Sequence, residues 1–185
     1  TVPNVLTWLR ILAIPLVVAL IAGQPVPLFT GAVPEQQVRD VFAQLLQRAT
    51  ERKLVVQITT AMEDERMMHP LLQVKAVDAN PLVDLLPTVP GARIVLLNAL
   101  RTVPSPVLPK IVGAGEVYAE IASLEGVGGI ANILQRMPVE RLLFGSHAPL
   151  FYIESALLKL DESPLTEEQL RAIRGENAAR LLKWD

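Results

Sequence analysis

Cysteine is absent from this sequence, and its absence removes several kinds of protein from consideration. A chain of 185 residues without a thiol has no disulfide bonds and no thiolate metal site. This composition is typical of a reducing compartment, and we expect a cytoplasmic protein.

Positive charge is also scarce. Lysine and arginine number 17 against 19 acidic residues, which gives a net charge of -2, and they form no basic stripe. Because nucleic-acid binding depends on clustered positive charge, we predict no nucleic-acid partner. We expect a small-molecule substrate or ligand instead.

Aromatic residues make up only 4% of the chain, whereas hydrophobic residues as a whole make up 51%. The apolar residues are therefore mostly aliphatic, which is typical of parallel strands buried between helices. This composition predicts an α/β protein.

The N-terminal segment, residues 1–23, differs from the rest of the chain. No charged or strongly polar side chain occurs from Ile11 to Ala22, and the apolar run extends back around Arg10. About 20 apolar residues span a bilayer, and an arginine near one end can reach the headgroups. We predict a hydrophobic helix here that contacts or spans the inner membrane. A signal peptide and a buried soluble helix are the alternatives.

The domain prediction follows from that segment: residues 24–33 form a linker that contains proline and glycine, and residues 34–185 form the main domain. A helix is predicted over residues 34–52, because its apolar side chains repeat at helical spacing. They are Val38, Val41, Phe42, Leu45, Leu46 and Ala49.

Strands are predicted from aliphatic runs at residues 54–60, 92–98, 117–123 and 141–146. Helical segments are predicted from residue 81 to Pro87, up to Met137, and over residues 151–160. Thr166 and Gln169 form a capping box for the next helix, and Asn177 caps the last turns after a break at Gly175. Strands alternating with helices predict a parallel sheet with right-handed crossovers.

Four such strands are half of a closed eight-stranded barrel, which takes about 250 residues. Half a barrel leaves two sheet edges and an unfilled interior. We therefore expect either a homo-oligomer that completes the barrel or a fragment with a more open shape.

Two motifs carry a family resemblance. The strand and tip Leu142-Leu143-Phe144-Gly145-Ser146 with Pro149 resembles the final strand of the amidohydrolase family, which consists of metal-dependent hydrolases with a TIM-barrel fold. The block from Ile173 to Leu182 resembles the closing helix of that family. From about Pro34 to the end, the chain is similar to the carboxyl-terminal half of the family. The resemblance implies half of a TIM-type barrel, a divalent metal such as zinc, and hydrolysis or decarboxylation of a small carbonyl compound by metal-bound water.

A second resemblance covers only the N-terminal segment. Pro3-Asn4, Leu6-Thr7, Arg10 and Pro15 are similar to the first transmembrane helix of CDP-alcohol phosphatidyltransferases such as phosphatidylglycerophosphate synthases. The aspartate-rich catalytic signature of that family is absent from this sequence. We therefore expect a fusion or a mispredicted start rather than a working lipid-head-group transferase.

The amidohydrolase resemblance also places candidate site residues at the strand ends. Thr59 and Asn98 stand where the family has histidines, His147 stands where it has an aspartate, and the His-x-His pair is missing. Threonine and asparagine are poor zinc ligands, so no metal or other cofactor is expected in the chain as written.

We predict that His147 is a catalytic acid–base group. A ring of polar residues around it is predicted to bind the substrate; its members are Thr59, Glu63, Asp64, Asn98 and Glu120. Structural roles are the alternatives: His147 bonds a backbone carbonyl, the acidic pair lies in a solvated loop, and Thr59 and Asn98 satisfy buried backbone groups.

The sequence thus predicts an amidohydrolase-like hydrolase domain that is degenerate or truncated. The first alternative is a non-catalytic, membrane-attached binding or assembly module. The second is a membrane protein related to CDP-alcohol phosphatidyltransferases without their catalytic motif.

Overall fold

The computed structural model describes residues 35–64, 66–69, 71 and 74–183 of the chain. The helix, linker and family resemblance predicted for residues 1–33 lie outside the described residues. Within the described part, no helix is both long and apolar enough to cross a bilayer. The chain divides into two compact units, residues 1–48 and 49–185, which are described separately.

The first helix, α1, covers Glu35–Glu51 and confirms the helix predicted over residues 34–52. Its apolar spacing placed the element correctly to within one residue at each end. Residues up to Arg48 belong to the first unit.

The second unit is built on a sheet of four parallel strands in the order β1-β2-β3-β4. The strands are β1 (Val55–Thr59), β2 (Arg93–Leu97), β3 (Glu116–Glu120) and β4 (Leu142–Leu143). Each strand pairs with the next strand along the chain, which is the order of a β/α barrel. Within the described residues neither β1 nor β4 has a strand on its outer edge. The predicted α/β fold, a partial TIM-type barrel, is therefore confirmed.

Short helices connect the strands and follow the last one. They are α2 (Pro81–Leu85), α3 (Ala99–Thr102), α4 (Leu108–Ala114), α5 (Gly129–Ile133), α6 (Ile153–Asp161), α7 (Glu167–Arg171) and α8 (Asn177–Leu182). Pro87 ends α2 as predicted, because the chain continues there as a 3-10 turn over Leu86–Thr88. The predicted capping box is also present, with Thr166 and Gln169 bonding each other's backbone N–H groups.

The sheet buries both of its faces to different degrees. Ile94, Leu96, Val117 and Ala119 alternate along β2 and β3 on one face and are fully buried. On the opposite face Val95, Tyr118 and Leu143 form a smaller cluster with Leu181 of α8. The last helix therefore packs on the concave side of the half barrel.

The prediction for that last helix was wrong in two respects. Gly175 does not break it, because a π-helical segment over Ala172–Glu176 joins α7 to α8. Asn177 is no cap either: it is fully buried, and its Nδ2 donates to the carbonyl oxygens of Val139 and Leu142 at 2.7 and 2.8 Å. Its amide connects the last helix to the start of β4.

Candidate functional site

The carboxyl ends of the four strands bring most of the candidate residues into two neighbouring cavities. The sheet cavity, about 590 Å³, lies on the concave face and includes Val95, Glu120, Leu143 and His147. The loop cleft, about 280 Å³, lies among the loops that follow β1, β2 and β3. It includes Glu63, Asp64, Asn98, Arg101, Ser123 and Phe151.

Glu120 ends β3 and is only 6% exposed. One of its carboxylate oxygens accepts the backbone N–H of Asn98 at 2.6 Å, and the other accepts the N–H of Ala122 at 2.5 Å. A buried carboxylate is stable only when its oxygens receive such bonds. Glu120 therefore holds the ends of β2 and β3 together.

Gly145 makes room for that carboxylate. A Cβ atom added at Gly145 would lie 2.8 Å from the Cβ of Glu120, closer than real Cβ atoms come to their neighbours. The glycine follows β4, so the ends of β3 and β4 approach each other closely at this point. Sequence reasoning noted Gly145 only as part of a family motif.

His147 lies just beyond Gly145, with a positive φ of 53°. Its Nε2 lies 3.0 Å from the carbonyl oxygen of Met62, and its ring meets the Phe151 ring edge to face with 5.1 Å between centroids. Because a carbonyl only accepts, Nε2 carries the hydrogen in this contact. In the neutral ring Nδ1 is then the nitrogen that can accept a proton.

Asn98 follows β2 in the left-handed conformation, with a φ of 57°, and is 2% exposed. Besides its backbone bond to Glu120, its Nδ2 donates to the carbonyl oxygen of Ala61 at 2.9 Å. The side-chain Oδ1 is buried and has no partner among the described residues. Asn98 thus satisfies a loop carbonyl and still presents an unused acceptor.

Thr59 ends β1 beside Leu97 and lines none of the cavities described in this part of the chain. The neighbouring Thr60 is fully buried instead, and its Oγ1 bonds the Leu97 carbonyl at 3.1 Å and the Thr102 hydroxyl at 2.8 Å. The strand alternation places Thr60 toward the helices, so the hydroxyl that bonds at this strand end belongs to Thr60.

Asp64 belongs to an ion-pair network that joins three loops. It bonds Arg66 at 2.6 Å and Arg101 at 3.1 Å, and both arginines also contact Glu125. Hydrogen bonds from Arg66 are the main reason that the pKa of Asp64 is held far below its usual range. Glu63 takes no part in the network and is exposed. Sequence reasoning did not identify Arg101 and Glu125, which are remote from Asp64 in the chain.

Lys159 on α6 was also missed. Its Nζ donates to the carbonyl oxygens of Ile121 and Ala122 at 3.2 and 2.6 Å, just after β3. Burial lowers the pKa of this ammonium group, while Glu120 and Glu125 act to raise it. No sequence signal marks a lysine that reaches across from an amphipathic helix.

The predicted ring of six residues is therefore divided. His147 and Glu120 share the sheet cavity; Asn98, Glu63 and Asp64 share the loop cleft; and Thr59 lies in neither. The two cavities are neighbours, since Asn98 bonds Glu120 and Phe151 packs on His147. Whether these residues bind substrate or catalyse a reaction stays a prediction.

The donor atoms at the strand ends do not fit the divalent metal that the amidohydrolase resemblance implies. Both oxygens of Glu120 already accept backbone N–H groups, and Thr59 and Asn98 offer only neutral oxygens. In the described part of the chain, no group of three histidine, cysteine, aspartate or glutamate side chains is placed to hold a metal ion.

Comparison with known proteins agrees with the fold. No family model matches the sequence, and no curated protein is similar to it. An uncharacterised TIM-barrel protein from Bordetella bronchiseptica is similar in structure, with 17% identity and a TM-score of 0.58 over 76% of this chain and 49% of that chain.

Two further solved structures come from enzymes with assigned names. Amidohydrolase 2 from Bifidobacterium longum subsp. infantis has 14% identity and a TM-score of 0.56 over 78% of this chain and 55% of that chain. A dihydroxybenzoic acid decarboxylase from a Polaromonas species, solved with manganese and 2-nitroresorcinol, has 12% identity and a TM-score of 0.57 over 83% of this chain and 57% of that chain. The chain spans about half the length of these proteins. At such identities the likeness establishes the TIM-barrel type of fold.

Proposed function

We propose that residues 49–185 form an amidohydrolase-like half barrel that binds a small carbonyl compound without a metal ion. The parent activity would be hydrolysis or decarboxylation, and the sheet cavity would hold the substrate. The observation that carries the proposal is that His147 and Glu120 line the same cavity on the concave face of the sheet. Barrel enzymes keep their reacting groups at this end of the sheet.

His147 is the residue proposed to move protons. With Nε2 bonded to the Met62 carbonyl, the neutral ring has Nδ1 available as a base. Glu120 would act as a positioning residue, because its two oxygens bond the N–H groups of Asn98 and Ala122 and so fix the strand ends.

The structural neighbours support a carbonyl compound as substrate class. One of them is named as a 2,6-dihydroxybenzoate decarboxylase with that compound bound. We therefore choose 2,6-dihydroxybenzoate as the probe for the sheet cavity. Saturable binding measured by calorimetry is expected, with an affinity at least about tenfold weaker in His147→Ala.

The second histidine supplies a matched control. His69 lies on an exposed loop, where its Nδ1 accepts the N–H of Leu71. His69→Ala should therefore bind the probe as the parent protein does. Equal binding by both variants, or no binding at all, would contradict the proposal.

Metal content tests the metal-free part of the proposal separately. Elemental analysis of the purified protein should find far less than one zinc or manganese per chain. Stoichiometric metal in the parent protein that is lost in His147→Ala would show an intact metal centre and overturn this part.

We further propose that a second copy of the chain completes the barrel. This proposal is supported by the open outer edges of β1 and β4 in the described residues and by the half-length match to complete barrels. Four strands from each of two copies make the eight that closure needs. Light scattering coupled to gel filtration should give twice the monomer mass at micromolar concentration; a monomer there would contradict this proposal.

The N-terminal segment carries the remaining proposal. Membrane attachment through residues 1–23 would make the half barrel a binding or assembly module at the inner membrane. Fractionation of cells that express the chain, with and without residues 1–23, measures this directly. Recovery of both forms in the soluble fraction would contradict it.

A further inference from the structure

We propose that the loop cleft binds a small primary amine in its ammonium form. This site is separate from the sheet cavity and does not depend on the function proposed for His147. The cleft of about 280 Å³ is bounded by the loops that follow three successive strands. Its size suits a compact ligand of a few heavy atoms.

The first observation is an unused acceptor. Asn98 lines the cleft, is 2% exposed, and has an Oδ1 atom with no hydrogen-bond partner among the described residues. The orientation of the amide is set by Nδ2, which donates to the Ala61 carbonyl oxygen. A buried acceptor without a partner is unfavourable, and a donor placed in the cleft would satisfy it.

The second observation is that Ser123 also lacks a partner. Ser123 lines the same cleft, and its buried Oγ bonds nothing in the described part of the chain. The neighbouring hydroxyl of Thr102 differs, because it already donates to the carbonyl oxygen of Asn98. The cleft therefore holds two unsatisfied oxygens from the ends of two adjacent strands.

Charge decides which donor fits. The ionisable side chains of the cleft are Glu63, Asp64 and Arg101, which give a formal charge of -1 at neutral pH. Asp64 pairs with Arg66 at 2.6 Å and with Arg101 at 3.1 Å, and both arginines also pair with Glu125. These four charges cancel, so the carboxylate of Glu63 is left unbalanced. No described residue bonds or pairs with Glu63. An anionic ligand would be repelled here, whereas a cation would be attracted.

A primary ammonium group matches these oxygens in number and charge. It carries three N–H donors, and the cleft offers Asn98 Oδ1, Ser123 Oγ and the Glu63 carboxylate. Phe151 also borders the cleft, and an aromatic ring attracts a cation that lies next to it. An alcohol brings one donor and no charge, and a quaternary ammonium brings charge without donors.

Those two alternatives define the test. The ¹⁵N-labelled protein is titrated at neutral pH and constant ionic strength with n-butylammonium, n-butanol, tetramethylammonium and butyrate. We expect saturable shifts of the Asn98 side-chain amide signals with n-butylammonium and no saturation with the other three. Equal affinity for tetramethylammonium or for n-butanol overturns the proposal, as does the absence of saturable shifts with n-butylammonium.

Variants place the ligand at the named oxygens. Glu63→Gln should weaken n-butylammonium binding about tenfold, because the unbalanced charge is removed, and Ser123→Ala about threefold to fivefold. Both side chains have no bonds among the described residues, so both variants should fold. Glu168→Gln, an exposed change of the same charge on α7, is the control and should leave the affinity unchanged. Affinities that are the same in all four proteins overturn the proposal.

Discussion

Two polar clusters lie close together at the carboxyl edge of the sheet, and they are built on different physical principles. In the first, the buried carboxylate of Glu120 accepts two backbone N–H groups. In the second, Asp64, Arg66, Arg101 and Glu125 pair on the surface, with Arg66 and Glu125 more than half exposed. Little of the first is exposed to water, whereas water and salt compete for the contacts of the second.

The difference teaches which cluster holds the strand ends in place. Bonds from backbone N–H groups to a buried charge are worth about 1.5–3 kcal/mol, because the alternative is a buried group without a partner. Exposed ion pairs typically contribute about 0–1 kcal/mol. The Glu120 cluster should therefore determine stability, and the Asp64 network should mainly orient loops.

The largest expected effect comes from filling the space beside Glu120. Gly145→Ala should lower the free energy of unfolding by about 3 kcal/mol, since the added Cβ would press on the carboxylate and disturb both of its bonds. Urea denaturation measures the change. Gly113→Ala is the control: a Cβ added there within α4 meets nothing within 4 Å, so it should stabilise the chain by about 0.5–1 kcal/mol. Similar losses in both variants would contradict the close approach at Gly145.

The next effect comes from removing the charge of Glu120 while keeping its shape. Glu120→Gln leaves one oxygen for two backbone donors, so the free energy of unfolding should fall by about 2 kcal/mol. Glu63→Gln makes the same chemical change at an exposed position and should stay within about 0.5 kcal/mol of the parent protein. If the two variants are equally stable, the contrast between the clusters is wrong.

The smallest effect is expected in the surface network, and it depends on pH. The pKa of Asp64 is lowered in the folded protein, chiefly by Arg66. Asp64 therefore makes its full contribution to stability at any pH above the pKa of aspartate in the unfolded chain, which is about 4. This contribution to stability is lost as the pH falls below about 4 and passes through the lowered pKa of Asp64 in the folded protein. The stability difference between the parent protein and Asp64→Asn should thus shrink from pH 7 toward pH 3, and also in about 1 M salt, where charges are screened within about 3 Å. If the stability difference between the two proteins instead grows as the pH falls, the pKa of Asp64 is not lowered by folding and the prediction is wrong.

The strands were predictable because their aliphatic runs are uninterrupted, but their ends were set by contacts that a sequence does not reveal. The run over residues 92–98 gave β2 to within one residue at each end. The run over residues 141–146 yielded only Leu142–Leu143, because the N–H of Phe144 bonds the Ile173 carbonyl at 2.9 Å instead of a neighbouring strand. Likewise β3 ends at Glu120, whose carboxylate turns back to bind the N–H of Ala122.

The candidate site was predictable only in part, for a similar reason. Strand ends indicated Asn98 and His147, whereas Glu120 lay inside the strand predicted over residues 117–123. All three lie at the carboxyl edge of the sheet. The candidate residues divide between two cavities because of the directions of their side chains and the contacts of their loops. The sequence does not show either of these. Arg101 and Glu125 are separated from Asp64 by tens of residues, so nothing local in the sequence indicates their ion pairs.

The positive φ angles of Asn98 and His147 restrict which amino acids can occupy these two positions. Apart from glycine, asparagine, aspartate and histidine are the residues that tolerate this backbone region best. Aspartate and histidine are also common ligands of divalent metals. The local backbone at both strand ends thus favours side chains from which metal centres are assembled, and the φ angle at position 98 is one that histidine also adopts.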